Sequence, residues 1–362
     1  MLDTYSLPDR AQPRALPWCA HRNAVHRSRV ANQETIMNRI PLIAAMLITA
    51  GVAFAGDTVS FKKEKEIPLG GGGGFDYLTA DVASRRLFVA HSPNIDVYDL
   101  DKLEKLGSVD GVEGAHGAIV VADVKKGFAT SGKKNALIVF DPATFKVIQE
   151  VKTDTGPDAL LYVSTTKEVW TMNHRAKTIT CVDADKLDVK ATIQVGGTLE
   201  FPVEYPAKGL VFVNAEDESF VAQIDAKKHA MVTKLELAPA EKPTGLAIDL
   251  KKGYLFAGCD GKLAVLDTSS GKVIATPAIG DGCDAVAYDA ERGLAFASCG
   301  DGTTTVVREA KPGTFEVAAK IETEKGGRTC AFDSKTRKLW VAAGSRGKNE
   351  TKLIVFAPDA AK

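Results

Sequence analysis

Sulfur, tryptophan and net charge are all scarce in this chain: six Cys, five Met and three Trp in 362 residues, with 46 basic side chains against 46 acidic ones. So few cysteines in so long a chain exclude a disulfide-stapled miniprotein. A hydrophobic share of 45% excludes disorder, and 32 glycines are too few for collagen. Zero net charge argues against a polyanion-binding surface, because non-specific nucleic-acid affinity comes from clustered Lys and Arg neutralising phosphates. No stretch reaches 18 apolar residues, the length a membrane-spanning helix needs. The run Gly70 to Gly74 is no phosphate loop, since neither GK[ST] nor a helix follows it, and no nucleotide is expected. A calcium loop of the Asp-x-Asp-x-Asp-Gly type is also missing.

The amino-terminal region has a different character. After Met37, Asn38 and Arg39 comes an apolar run from Ile40 to Phe54 that ends Ala53-Phe54-Ala55 before Gly56. A basic start, a short apolar middle and an A-x-A site make 37–55 a secretory signal peptide. Residues 1–36 lack periodicity and would bury that signal inside the chain, so they read as a mispredicted upstream extension with translation beginning at Met37. The expected mature chain, 56–362, is periplasmic or secreted, with no membrane span after cleavage. Residues 1–55 hold six Arg and three acids, so the remaining 307 carry 40 basic and 43 acidic groups and are mildly acidic.

Those 307 residues repeat. Aligned on the aromatic of an apolar triplet, RLFVAH (Phe88), KGFATS (Phe128), EVWTMN (Trp170), LVFVNA (Phe212), YLFAGC (Phe256), LAFASC (Phe296) and KLWVAA (Trp340) recur at intervals of 40 to 44. A second marker agrees: Asp99, Asp141, Asp183, Asp225 and Asp267 each close an apolar strand and recur every 42 residues. These aspartates suit turns, where a carboxylate accepts backbone N–H bonds two residues on. Four strands in a period near 42 define a propeller blade, and seven such units an all-β, seven-bladed β-propeller. The seventh unit ends after its third strand, while 58–68 is a spare fourth strand ahead of the first unit. Pairing 58–68 into the last blade closes the ring.

The units resemble those of the YVTN-repeat, YncE-like seven-bladed propellers of bacterial exported proteins. The likeness runs from about 75 to 344 and rests on FDYLTADVASRRLFVAH, GAHGAIVV, TGPDALLY, PTGLAIDLKKGYLFAGCDGK, DAVAYDAERGLAFAS followed by GDGTTTVV, and RTCAFDSKTRKLWV. It implies the seven-bladed fold and a place outside the cytoplasm, but no common reaction. Some related propellers bind DNA, whereas others are described as surface or binding proteins.

Twelve residues before each aromatic marker stand Asp76, His116, Asp158, Glu200, Thr244, Asp284 and Arg328. First strands line a propeller's channel, so these positions face one another across its mouth, and six of the seven can carry charge. Asp76, His116, Asp158 and Glu200 form the expected arc for a divalent cation, Ca²⁺, Mg²⁺, Mn²⁺ or Zn²⁺, with Arg328 able to hold a substrate carboxylate or carbonyl. His91 and Asn173, at the ends of second strands, are further ligand candidates beside that ring, whereas His174 and His229 read as residues of outer turns. The ring thus predicts binding of a small polar or cationic ligand. The alternatives are a metal-dependent, lactonase-like hydrolase or lyase on the same ring, and a protein or nucleic-acid scaffold using the blade faces. The acidic balance disfavours nucleic acid. A quinone cofactor (PQQ) is not expected, because only Trp170 and Trp340 survive maturation and its tryptophan-docking repeat is missing.

Five cysteines remain after cleavage. Cys283 and Cys299 are equidistant from the turn at Glu291 and form the disulfide candidate, with Cys259–Cys283 as the rival; Cys181 and Cys330 read as small core residues. Similar proteins of the family tend to carry a cysteine where this chain has Ala240 and lack those at 283 and 299. No feature points to an oligomer, and a monomer is expected. Export should leave a chain that begins at Gly56; intact-mass measurement of the exported protein checks this, and a mass that includes 37–55 would mark a retained anchor.

Overall fold

The computed structural model describes residues 59–70, 74–344 and 351–359. The upstream extension, the signal segment and Gly71 to Gly73 lie outside the described residues. Seven antiparallel sheets of four strands each form the blades of a β-propeller. Their first strands are Phe75–Asp81, Ala115–Val121, Pro157–Val163, Leu199–Tyr205, Leu246–Asp249, Cys283–Asp289 and Thr329–Asp333, in blades 1 to 7.

Burial follows from a strand's place in its blade. The middle strands are covered on both faces by neighbouring blades, so Glu168–Asn173 and Ala136–Phe140 are buried throughout. Outermost strands such as Val147–Lys152 are mostly exposed, and their composition is accordingly mixed. Phe88, Phe128, Trp170, Phe212, Phe296 and Trp340 are essentially fully buried, which makes the recurring aromatic the filler between sheets. One cluster joins Trp170, Met172 and Ile179 of blade 3 to Val211, Phe220 and Ile224 of blade 4. The recurring aspartates cap turns as the sequence predicts: Asp99 Oδ1 accepts from the backbone N–H of Asp101 and Lys102, and Asp141 Oδ1 from those of Ala143 and Thr144.

The seam closes non-locally. Phe61–Pro68 pairs antiparallel with Lys352–Pro358, so the last blade runs in the order Phe61–Pro68, Lys352–Pro358, Lys338–Ala343, Thr329–Asp333. Main-chain bonds from Leu69 to Thr351 and from Asp359 to Ser60 extend that pairing at both ends.

A buried ion pair fastens the same seam from the other side. Arg85, in the first turn of blade 1, donates to Asp333 of blade 7 at 2.8 and 2.6 Å and to Asp101 of its own blade. The Asp333 side chain is fully buried, and the guanidinium, with Thr336 beside it, holds its carboxyl below the ordinary value against the opposing effect of burial. Removing one partner of such a pair leaves a buried charge uncompensated. Arg85→Ala is therefore expected to destabilise the propeller by about 3–5 kcal/mol, measured by denaturant unfolding; a change within about 0.5 kcal/mol would show that the seam does not depend on it.

Candidate functional site

A recurring β-bulge positions the ring. In blade 1, Phe75 opposes His91 and Leu78 opposes Val89, so Asp76 and Tyr77 together face a single residue of the second strand. The same extra residue occurs in blades 2, 3 and 4, at His116, Asp158 and Glu200, and blade 6 makes its shift at Asp284. A bulge turns a side chain out of the regular alternation and frees a main-chain group from the ladder. Thr244 and Arg328 instead precede their first strands, which begin at Leu246 and Thr329.

Five ring members form one chain of contacts in blade order. Arg328 lies 2.8 Å from Asp284 and 3.9 Å from Asp76; His116 Nδ1 lies 2.8 Å from Asp76 Oδ2 and 3.4 Å from Asp158 Oδ2. Ligand atoms of Asp76, His116 and Asp158 all fall within 4.8 Å of one another. The His116 imidazole rests over Gly132, where an added Cβ would meet its Nε2 at 2.8 Å and displace the ring.

Glu200 joins a different group. Its Oε2 accepts from the Tyr77 hydroxyl at 2.7 Å, and its Oε1 lies 3.0 Å from His174 Nδ1. Tyr77 belongs to blade 1 and Glu200 to blade 4, so the buried phenol reaches across the channel under the ring. Its ring packs edge-on against Phe201 at 5.1 Å. Neither Tyr77 nor His174 is anticipated from the sequence. His174 follows Asn173, the register partner of Pro157, and that register places it at the channel mouth rather than in an outer turn.

Other candidates are occupied elsewhere. The Thr244 hydroxyl donates to the Cys283 carbonyl at 2.5 Å and ties blade 5 to blade 6. His91 Nδ1 lies 3.0 Å from Asp96, itself paired with Lys105, so His91 is turned into its own blade and does not reach Asp76. Asn173 is fully buried among Thr171, Thr178 and Thr180, whose hydroxyls meet its amide. Cys283 and Cys299 are register partners as the turn arithmetic requires, yet both are buried free thiols here, with no sulfur–sulfur bond. Cys259, Cys181 and Cys330 are free and buried as well.

Crowding sets the electrostatics. Burial, with Asp76 and Glu200 adding repulsion, pushes Asp158 up to about 7 despite the opposing pull of His116. Burial works against a charged His116, but its hydrogen bond to Asp76 and the field of Asp158 outweigh it and raise its pKa. The pairing with Glu200 lifts His174 to about 9. Glu216, close to the same pair, is raised by burial and by Glu200.

The fold and the charged mouth define a seven-bladed β-propeller. Among solved structures it is similar to a chain titled Kuenenia stuttgartiensis Hydrazine Synthase, with a TM-score of 0.69 and 12% identity, over 80% of this chain and 97% of that one. At that identity the likeness shows the fold alone. No family model matches the sequence, and no curated protein matches it.

The shifts make stability pH-dependent. The folded state keeps a proton on Asp158 that an unfolded aspartate releases near pH 4, so stability falls as pH rises from about 4 to about 7. His174, raised above an ordinary value near 6.5, stabilises the fold below that pH, and its contribution is lost as pH rises through about 9. In divalent-free buffer the melting temperature is therefore expected to decline from about pH 5 to about pH 9. In Asp158→Asn the decline below about pH 6.5 should be smaller, with Glu216 still contributing to it. Thermal melts across that range check it, and a wild-type melting temperature that is flat or rises with pH contradicts the assignment.

Proposed function

We propose that this chain is an exported, YncE-like binding propeller that holds a divalent cation at the mouth of its channel, through Asp76, His116 and Asp158. The observation that carries the reading is the convergence of two carboxylates and one imidazole, each supplied by a different blade, on a single point. Asp158 then gives up to the cation the place its proton otherwise takes. Carboxylate oxygens suit Ca²⁺, Mg²⁺ and Mn²⁺, and the imidazole shifts preference toward Mn²⁺ and Zn²⁺. Glu200 and Arg328 flank the ion, the first fixed by Tyr77 and His174 and the second by Asp284. A small polar ligand completes the coordination. Export is supported by the apolar run 40–54 ending in A-x-A, and family kinship by the repeat motifs.

One observation favours a second reading, a hydrolase or lyase of the lactonase-like kind. While no cation occupies the ring, a carboxyl held near 7 is poised to move a proton at neutral pH, and Arg328 can polarise a carbonyl.

Calorimetric titration of chelator-treated protein with CaCl₂, MgCl₂, MnCl₂ and ZnCl₂ tests the binding reading. Wild type should bind one of them at the mouth, whereas the double variant Asp76→Asn, Asp158→Asn should lose at least about 100-fold in affinity while keeping its fold, since both carboxylates among the three ligands are gone. Without ions, Asp158→Asn alone should melt higher than wild type near pH 8, because it relieves the repulsion from Asp76 and Glu200. Identical titrations of wild type and the double variant with all four ions would reduce the ring to a solvated rim.

A further inference from the structure

On the face opposite the ring, three side chains from two blades meet with a different chemistry. Glu168 opens the second strand of blade 3, and its register partners are Val163 and Asp183, at the far end of the sheet from Pro157 and Asn173. Cys181 lies in the third strand of that blade, opposite Trp170. His229 comes from the turn before the fourth strand of blade 4, Ala230–Glu236. A carboxylate oxygen, the thiol sulfur and an imidazole nitrogen of the three lie within 4.8 Å of one another.

From this geometry we infer a second metal site, selective for a borderline ion such as Zn²⁺ and formed by Glu168, Cys181 and His229. Sulfur and nitrogen donors set it apart from the oxygen-rich mouth, because thiolate and imidazole are the ligands that Zn²⁺ and Co²⁺ favour. With bonds of about 2.0 Å to nitrogen and oxygen and about 2.3 Å to sulfur, one ion reaches all three donors after shifts of under about 1 Å. Three protein ligands leave a fourth position for water or another small donor.

The surroundings are those of a held ligand set. Glu168 Oε2 accepts from Trp170 Nε1 at 2.8 Å and Thr166 Oγ1 at 3.1 Å, and it lies 2.8 Å from His229 Nε2. Hydrogen bonds of the first two kinds orient a ligating carboxylate from behind. The Trp170 and His229 rings lie 5.9 Å apart, which limits rotation of the imidazole. The cluster borders the apolar core of blades 3 and 4, where the side chains of Cys181 and Glu168 are 0% and 7% exposed, while that of His229, 23% exposed, gives an ion a way in.

With a dication bound, a thiolate and a carboxylate bring the buried site to zero net charge. The ligating form of cysteine is the thiolate, so the ion is what makes the buried sulfur a donor. Proton release therefore accompanies binding.

Cobalt reports the sulfur directly. CoCl₂ added to chelator-treated wild-type protein is expected to produce the near-ultraviolet thiolate-to-cobalt charge-transfer band together with tetrahedral visible bands, the band saturating at one sulfur-bound ion per chain, and ZnCl₂ should abolish it. Cys181→Ser should remove the charge-transfer band. His229→Asn should weaken Co²⁺ binding at least tenfold; asparagine is chosen because residue 229 has a φ of 49°, a left-handed backbone that Asn tolerates. That variant also carries the test if Cys181→Ser fails to fold. The mouth variant Asp76→Asn, Asp158→Asn should keep the band, so failure at one site is distinguishable from failure at the other. Absence of the band in wild type, or its persistence in Cys181→Ser or undiminished in His229→Asn, overturns the proposal.

Discussion

A β-bulge releases a main-chain carbonyl from its ladder, and a buried carbonyl without a partner costs about 1–3 kcal/mol. In this propeller the preceding blade meets that debt at Asp158 and likewise satisfies carbonyls just ahead of the first strands of blades 5 and 7. The Thr130 hydroxyl donates to the Asp158 carbonyl at 2.5 Å, the Asn214 amide to those of Thr244 and Gly245, and the Ser298 hydroxyl to that of Gly327, next to Arg328. Thr130, Asn214 and Ser298 stand two residues after the aromatic marker in blades 2, 4 and 6, and all three are fully buried. Thr130 also accepts from Gly117 N–H in the bulge of its own blade. Asp158, Thr244 and Arg328 are thus each located by two sheets at once. The mouth keeps its geometry only while the blades stay in contact all round, which makes the distant seam at Arg85 and Asp333 part of the site's support.

Charge at the mouth is balanced before any ligand arrives. Four carboxylates, Asp76, Asp158, Glu200 and Asp284, face Arg328 and two imidazoles. With a proton on Asp158 and both histidines charged, the remaining three acids meet three cations. A divalent ion bound among Asp76, His116 and Asp158 displaces protons from that arrangement rather than filling a bare negative hole, so its binding is expected to strengthen as pH rises toward 8. Tyr77, buried beneath with its hydroxyl on Glu200, floors the site.

The blades, their number and the closing strand were legible because each repeats a marker or completes a count. The ring was legible because the alignment needs no gaps. What the period hides is the bulge, although its trace is present: Tyr77 and Leu78 are consecutive buried residues in a strand that should alternate, as are Gly117 and Ala118, and Ala159 and Leu160. Missing that slip also hid Tyr77, which the bulge sends into the channel. His174 was missed because a residue just past a strand reads as loop, and only the pairing of Pro157 with Asn173 puts it at the mouth. His91 and Asn173 have the right height in the sheet but the wrong side, each held by partners in its own blade. The Glu168, Cys181 and His229 cluster combines strands of one blade with a turn of the next, a contact that no spacing within a repeat encodes.

The strand Phe61–Pro68 leaves the ribosome roughly 280 residues ahead of its partner Lys352–Pro358. At about 5–20 residues per second it waits about 15 to 60 s with an unpaired edge, long enough for wrong pairing with any exposed strand. Its sequence, Phe-Lys-Lys-Glu-Lys-Glu-Ile-Pro, has five consecutive charged residues and ends in proline. Those charges keep the waiting segment hydrated and unattractive to other edges, and Lys338 and Lys352 then meet Glu64 and Glu66 once the last blade emerges. The same charges suit its final place, the outermost and mostly exposed strand of its blade, so one sequence serves both the wait and the finished ring.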